Sequence, residues 1–195
     1  DNYEKQEQEV PGIQAKMSPQ PDCGEDSYHG HHRLDGFKIL VTGGDSAIGR
    51  AAAIAYAKEG ADVAINYLPS EQQDADDVKQ IIENVGQKAV LIPGDIRDEQ
   101  FNYDMVEEAY QQLGGLDNVT LVAGHQLYQD ELSEFKTQDF TETFETNVYP
   151  VFWTVQKRLS IYNQEARLQQ HLQFKVIILV QFFMIMLQRK LQLYL

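Results

Sequence analysis

The residues best suited to chemistry in this chain are a cluster of glycines and what stands between them. The short apolar run Phe37 to Thr42 passes directly into Gly43-Gly44-Asp45-Ser46-Ala47-Ile48-Gly49, and an alanine-rich segment continues to Glu59. Glycines at a strand end let the backbone turn tightly and approach a ligand closely. The start of the following helix offers N–H groups without partners and the positive end of a dipole. Strand, glycine loop and helix in that order predict a seat for a pyrophosphate; the same glycines in an isolated turn would predict nothing. A second cluster, His29, His31 and His32, lacks cysteines or carboxylates at ligand spacing. It reads as solvated loop, so no metal site is expected.

Such a loop needs a scaffold, and the apolar pattern supplies one. Phe37 to Thr42, Ala61 to Tyr67, Lys88 to Pro93 and Leu116 to Ala123 read as strands. Ala47 to Glu59, Ser70 to Val85 and about Asp98 to Leu113 read as the helices between them, with stop signals at Gly60, Gly86 and Gly114-Gly115. Thr137 to about Arg158 reads as one further long helix. Strands alternating with helices predict parallel βαβ units: an α/β, Rossmann-type, doubly wound parallel sheet in three α/β/α layers, here incomplete on its C-terminal side. That domain covers residues 36–158. Residues 1–35 are polar and acidic, broken by Pro11, Pro19 and Pro21, and predict an irregular arm, either disordered or draped over a partner subunit.

A formal charge of −14 argues against nucleic acid, whose phosphates need a basic surface. The single cysteine, Cys23, fits a reducing compartment, and no charged-then-apolar segment opens the chain, so a cytoplasmic location is expected. The average composition hides a change. From Lys157 onward there are six Lys/Arg and one acid, against ten and twenty-nine before it; the last glycine is Gly124 and the last proline Pro150. Residues 159–195 therefore form an anomalous tail. Within it, the apolar run from Phe174 to Leu187 is shorter than the roughly twenty residues that span a bilayer and carries Lys175 and Gln181, so no membrane anchor is expected.

The loop Thr42 to Gly49 resembles the TGxxxGxG loop of short-chain dehydrogenases/reductases, with Ala47 where the middle glycine usually stands. The resemblance continues in order through Gly94-Asp95-Ile96, Leu121-Val122-Ala123-Gly124 and Thr146-Asn147-Val148. It implies that Asp95 and the adjacent Ile96 meet the adenine ring, that Ala123 and Gly124 allow close approach of the cofactor, and that Asn147 is the catalytic-site asparagine. It also implies hydride transfer between a nicotinamide cofactor and a small carbonyl or alcohol substrate, in a dimer or tetramer. The family's two asparagines are Leu121 and Val122 here, which removes polar ties from the fourth strand. The arm segment Pro11 to Tyr28 is similar to that of a bacterial general-stress or aldehyde-reductase-like subgroup.

Members specific for NAD place an acid at the end of the second strand, where this chain has Asn66 and Tyr67. Without it a 2′-phosphate is not repelled, and Ser46 and Arg50 are candidate partners for that phosphate. NADP is the expected cofactor, with NAD as the alternative. The family's Ser and Tyr-x-x-x-Lys, its proton-transfer machinery, are missing: the tyrosines downstream of Asn147 are at 149, 162 and 194, and none has a lysine four residues on. Back-translation accounts for the loss. With ordinary codon choices, the bases encoding Met184 to Tyr194, read one base earlier, encode HDYAATKAAII, which contains the missing motif. A frame change near Lys157 or Arg158 explains the charge reversal and the loss of glycine and proline together. Resequencing the gene is expected to find an inserted or deleted base there; an intact frame encoding FFMIMLQRK would end the idea.

Overall fold

The computed structural model describes residues 6, 8, 11–127, 131–166 and 175–178. Its centre is a parallel five-stranded sheet of β1 (Lys38–Thr42), β2 (Asp62–Tyr67), β3 (Ala89–Pro93), β4 (Asn118–Leu121) and β5 (Lys175–Ile178), ordered β3-β2-β1-β4-β5. Register aligns the C-terminal ends: Thr42 lies opposite Asn66 on one side and Leu121 on the other, and Asn66 opposite Ile92. Successive strand residues point to opposite faces. In β1, Ile39 and Val41 enter one core with α1 (Ala47–Lys58) and α2 (Gln72–Asn84), while Leu40 enters the other with α3 (Glu99–Leu113) and Ile161. The expected three-layer Rossmann architecture is therefore present. Strand order 3-2-1-4-5 stops one short of the six-stranded form, with no sixth strand among the described residues.

One expectation needs correction. The expected helix from 137 to 158 is two helices, α4 (Thr137–Asn147) and α5 (Tyr149–Ala166), interrupted at Val148 (φ −119°, ψ −54°). Pro150 accounts for the break, because it has no N–H to continue the ladder and is tolerated only in the first turn of a new helix. The second helix, α5, runs on through residue 158, and Arg158 is buried with its guanidinium on the Leu116 carbonyl. On its outer side β4 pairs with β5 from Asn118↔Lys175 to Leu121↔Ile178. The tail beyond residue 178, with its re-read tyrosine motif, lies outside the described residues.

The arm lies on its own chain. The Asp74 carboxylate accepts from the Gln14 and Ala15 amides at 2.6 and 3.1 Å, and Arg50 Nε donates to Glu25 at 2.7 Å. Lys58 Nζ donates to the carbonyls of Gly24 and Tyr28 at 2.8 and 2.9 Å. Glu59, buried just past the end of α1, gathers the rest: the His31 and Arg33 amides at 2.9 and 3.0 Å, Arg33 Nε at 3.0 Å, and the Tyr28 hydroxyl. Those donors, Arg33 foremost, hold its carboxyl well below the usual carboxylate range. His29, His31 and His32 are exposed. Glu59→Ala is expected to lower unfolding stability by about 2 kcal/mol, the scale of a charge-assisted hydrogen-bond group lost. Urea denaturation at neutral pH measures it, and an unchanged midpoint would mean the arm adds nothing.

Candidate nucleotide site

A cavity of about 530 Å³ opens at the C-terminal edge of the sheet, where ligands of doubly wound sheets bind. The glycine loop contributes Gly43, Asp45, Ser46, Ala47, Ile48 and Gly49. The ends of β2 and β3 bring Asn66, Tyr67, Asp95 and Ile96, and Ala123 and Gly124 follow β4. Two expected site residues, Arg50 and Asn147, are not in the lining.

The loop leaves no room for side chains. Gly43 adopts φ +62° against Ala123, and a Cβ on Gly49 would fall 1.7 Å from the Gly43 carbonyl oxygen. The first turn of α1 is thereby pressed against the end of β1, and a helix start is where unpartnered N–H groups can meet a pyrophosphate. Ala47 is a larger departure than one added methyl group, because its φ of +46° is a left-handed conformation that disfavours any L side chain. Support comes from the arm. The buried Gln14 Oε1 accepts the Ala47 N–H at 2.7 Å, while its amide nitrogen lies 3.5 Å from Cys23 Sγ.

The other walls are tied in similar ways. Asn66 Nδ2 donates to the Ile92 and Gly94 carbonyls at 3.1 and 3.0 Å, and the Tyr67 hydroxyl donates to Gln72 at 2.7 Å. Where Leu121 and Val122 replace the expected asparagines, the Thr42 hydroxyl accepts from the Val122 and Ala123 amides at 3.1 and 3.3 Å, so strand four keeps a polar tie. Asn147 clasps His125 from both sides, accepting its N–H at 2.9 Å and donating to its carbonyl at 2.7 Å. It fixes the loop after β4 from just outside the cavity. Asp95 is held by Arg97, whose Nη2 is 2.6 Å away and lowers the Asp95 pKa.

Arg50 stands outside the cavity lining. Its Nε is paired with Glu25 at 2.7 Å, and its side chain is only 11% exposed. Residues that the sequence reading missed include Leu68, Glu71, Arg97, His125, Glu142 and Thr146. Glu71 sits one turn beyond β2 and accepts the Leu68 N–H at 3.2 Å. Burial, then the neighbouring Asp45 and Asp74 charges, push its carboxyl up to about 7. Asp45 is itself buried and raised by burial, and its Oδ2 has no hydrogen-bond partner among the described residues.

The short chain dehydrogenase family model matches residues 38–167. The chain belongs to this family. It is 57% identical over 159 residues to the Escherichia coli oxidoreductase YghA, covering 82% of this chain and 54% of that protein. It is 41% identical over 149 residues to general stress protein 39 of Bacillus subtilis, covering 76% and 51%. A solved short-chain dehydrogenase from Burkholderia cenocepacia, in complex with NADP, is 35% identical with a TM-score of 0.60, over 66% of this chain and 51% of that one. The chain thus spans about half the length of the curated relatives it matches. Short-chain dehydrogenases bind a nicotinamide cofactor, and the Gly43–Gly49 cradle fits its pyrophosphate.

Gln14→Ala is expected to weaken dinucleotide binding by roughly threefold to tenfold, the worth of one hydrogen bond. Adding Ala47→Gly should restore most of the loss, because glycine holds a positive φ unaided. Titration of intrinsic fluorescence reads both; unchanged affinity in the single variant would show that the loop stands without the arm.

Proposed function

We propose that the gene for this chain encodes an NADP-dependent oxidoreductase that moves a hydride between the nicotinamide and a small carbonyl or alcohol substrate. The observation that carries this reading is the cradle at Gly43–Gly49, where a carbonyl oxygen occupies the space a side chain would need. The NADP preference is supported by Asn66 and Tyr67, which end β2 without an acid, so that the first acid beyond it is Glu71, four residues on and pushed by burial up to about 7, and by the NADP bound to the Burkholderia relative. Bound cofactor supplies the hydride chemistry. The chain's own residues seat the pyrophosphate on the α1 amides, position the adenosine side along β2 and β3, and hold the His125 loop through Asn147 at the catalytic end. The proton relay would come from a serine and a Tyr-x-x-x-Lys, and back-translation of the tail into the neighbouring frame would supply that tyrosine and lysine.

A second reading has its own observation: without that tyrosine and lysine, the polypeptide as written is at most a nucleotide-binding module. Both readings agree with a frame change near Lys157 or Arg158, some ten residues before the family match ends at residue 167. A cytoplasmic dimer or tetramer is the assembly we infer. Phe152 of α5 is 63% exposed, Phe140 of α4 is 54% exposed, and Tyr149 and Leu159 are also open, a larger apolar display than isolated surface positions require. No helix among the described residues is long and apolar enough to cross a membrane.

Intact mass combined with an NADPH-consumption assay on simple aldehydes separates the readings. A protein of this 195-residue mass should bind cofactor without turnover, and one expressed from the restored frame should reduce aldehydes. Turnover by the 195-residue protein would refute the inactive-module reading; failure of both to bind NADPH would refute the proposed function.

A further inference from the structure

The cavity end that would receive the adenosine ribose is acidic. Glu71 lines it beside Asn66, Tyr67 and Leu68, and Asp45 lines it from the glycine loop. A ribose hydroxyl suits this corner. It can donate to a carboxylate, and the buried Asp45 Oδ2 lacks a donor among the described residues. A 2′-phosphate has no such hydrogen to offer once ionised and brings negative charge toward two carboxylates. In return the lining offers the Ser46 hydroxyl. Arg97 is held by Asp95, and Arg50 is turned away onto Glu25.

Resting on the dinucleotide reading above, we propose that Glu71, with Asp45 behind it, is a specificity-determining residue that makes binding of the 2′-phosphorylated cofactor weaken as pH rises and leaves binding of the unphosphorylated one nearly unchanged. The groups facing Glu71 act in one direction. Asp45 from the loop and Asp74 from α2 are acids, and the Tyr67 phenol of β2 is committed to Gln72. Asp74 itself is covered by the Gln14 and Ala15 amides of the arm, which supply no positive side chain. The Leu68 N–H is the donor on Glu71's own turn. Crowding by acids and burial keep Glu71 protonated up to about 7. Below that point it is a neutral group beside the phosphate; above it a carboxylate opposes the phosphate at close range, where screening is incomplete.

Calorimetric titration of the full chain with NADP+ and with NAD+, at pH 6 to 8.5, tests this. In the wild type the NADP+ dissociation constant should rise about tenfold across that range, while the NAD+ constant changes less than about twofold. In Glu71→Gln the NADP+ rise should shrink to what the cofactor's own phosphate produces, since that group titrates near pH 6. Retained NAD+ binding shows that the variant is folded, and the wild-type profiles decide the matter if it is not. Parallel wild-type profiles for the two cofactors, or an undiminished NADP+ rise in Glu71→Gln, would overturn the selector and leave the dinucleotide site standing. Absence of binding by either cofactor would overturn both.

Discussion

Everything at the cavity depends on how closely the first turn of α1 approaches the end of β1. The Gly43 carbonyl occupies the place where a Gly49 side chain would begin, so the helix start can come no nearer and no other residue is admitted. That contact sets the direction of the α1 amides and the level of Ala47 against the cavity. The sheet register then brings Asn66, Ile92 and Leu121 to the same edge, which makes the cavity a consequence of strand alignment rather than of any one loop.

The N-terminal arm belongs to this arrangement as much as the sheet does. Its backbone is irregular, yet it delivers charged or polar groups to three successive points: Asp74 on α2, Ala47 in the loop and Glu59 beyond the end of α1. An acidic, proline-broken segment cannot bury enough apolar surface to fold by itself. Here it is ordered by meeting donors and acceptors that the Rossmann core leaves unmet, and one of those meetings stabilises a left-handed alanine in the phosphate loop.

Sequence made the glycine loop, the strand order and the residues after β3 and β4 legible, because each is written in local spacing. It could not show the pairing of Arg50 with Glu25, which is distant in the chain and comes near only after the arm folds back. Glu71 was hidden for a similar reason: it reads as an ordinary acid opening a helix, and only burial beside Asp45 gives it another character. The interruption at Val148 was signalled by Pro150 and overridden by the apolar period around it. The outer strand Lys175–Ile178 sits in an apolar run with no alternation, which cannot distinguish strand from helix.

That outer strand has a wider meaning. A parallel ladder is made from N–H and C=O groups that every non-proline residue carries, so the free side of β4 recognises extended backbone and apolar bulk, not a particular text. Lys-Val-Ile-Ile satisfies it in four registered pairs. An exposed sheet edge invites other chains to add themselves and polymerise. By adding Lys175–Ile178 the chain moves this edge from β4 out to β5 rather than abolishing it, so the same vulnerability sits one strand further from the glycine loop.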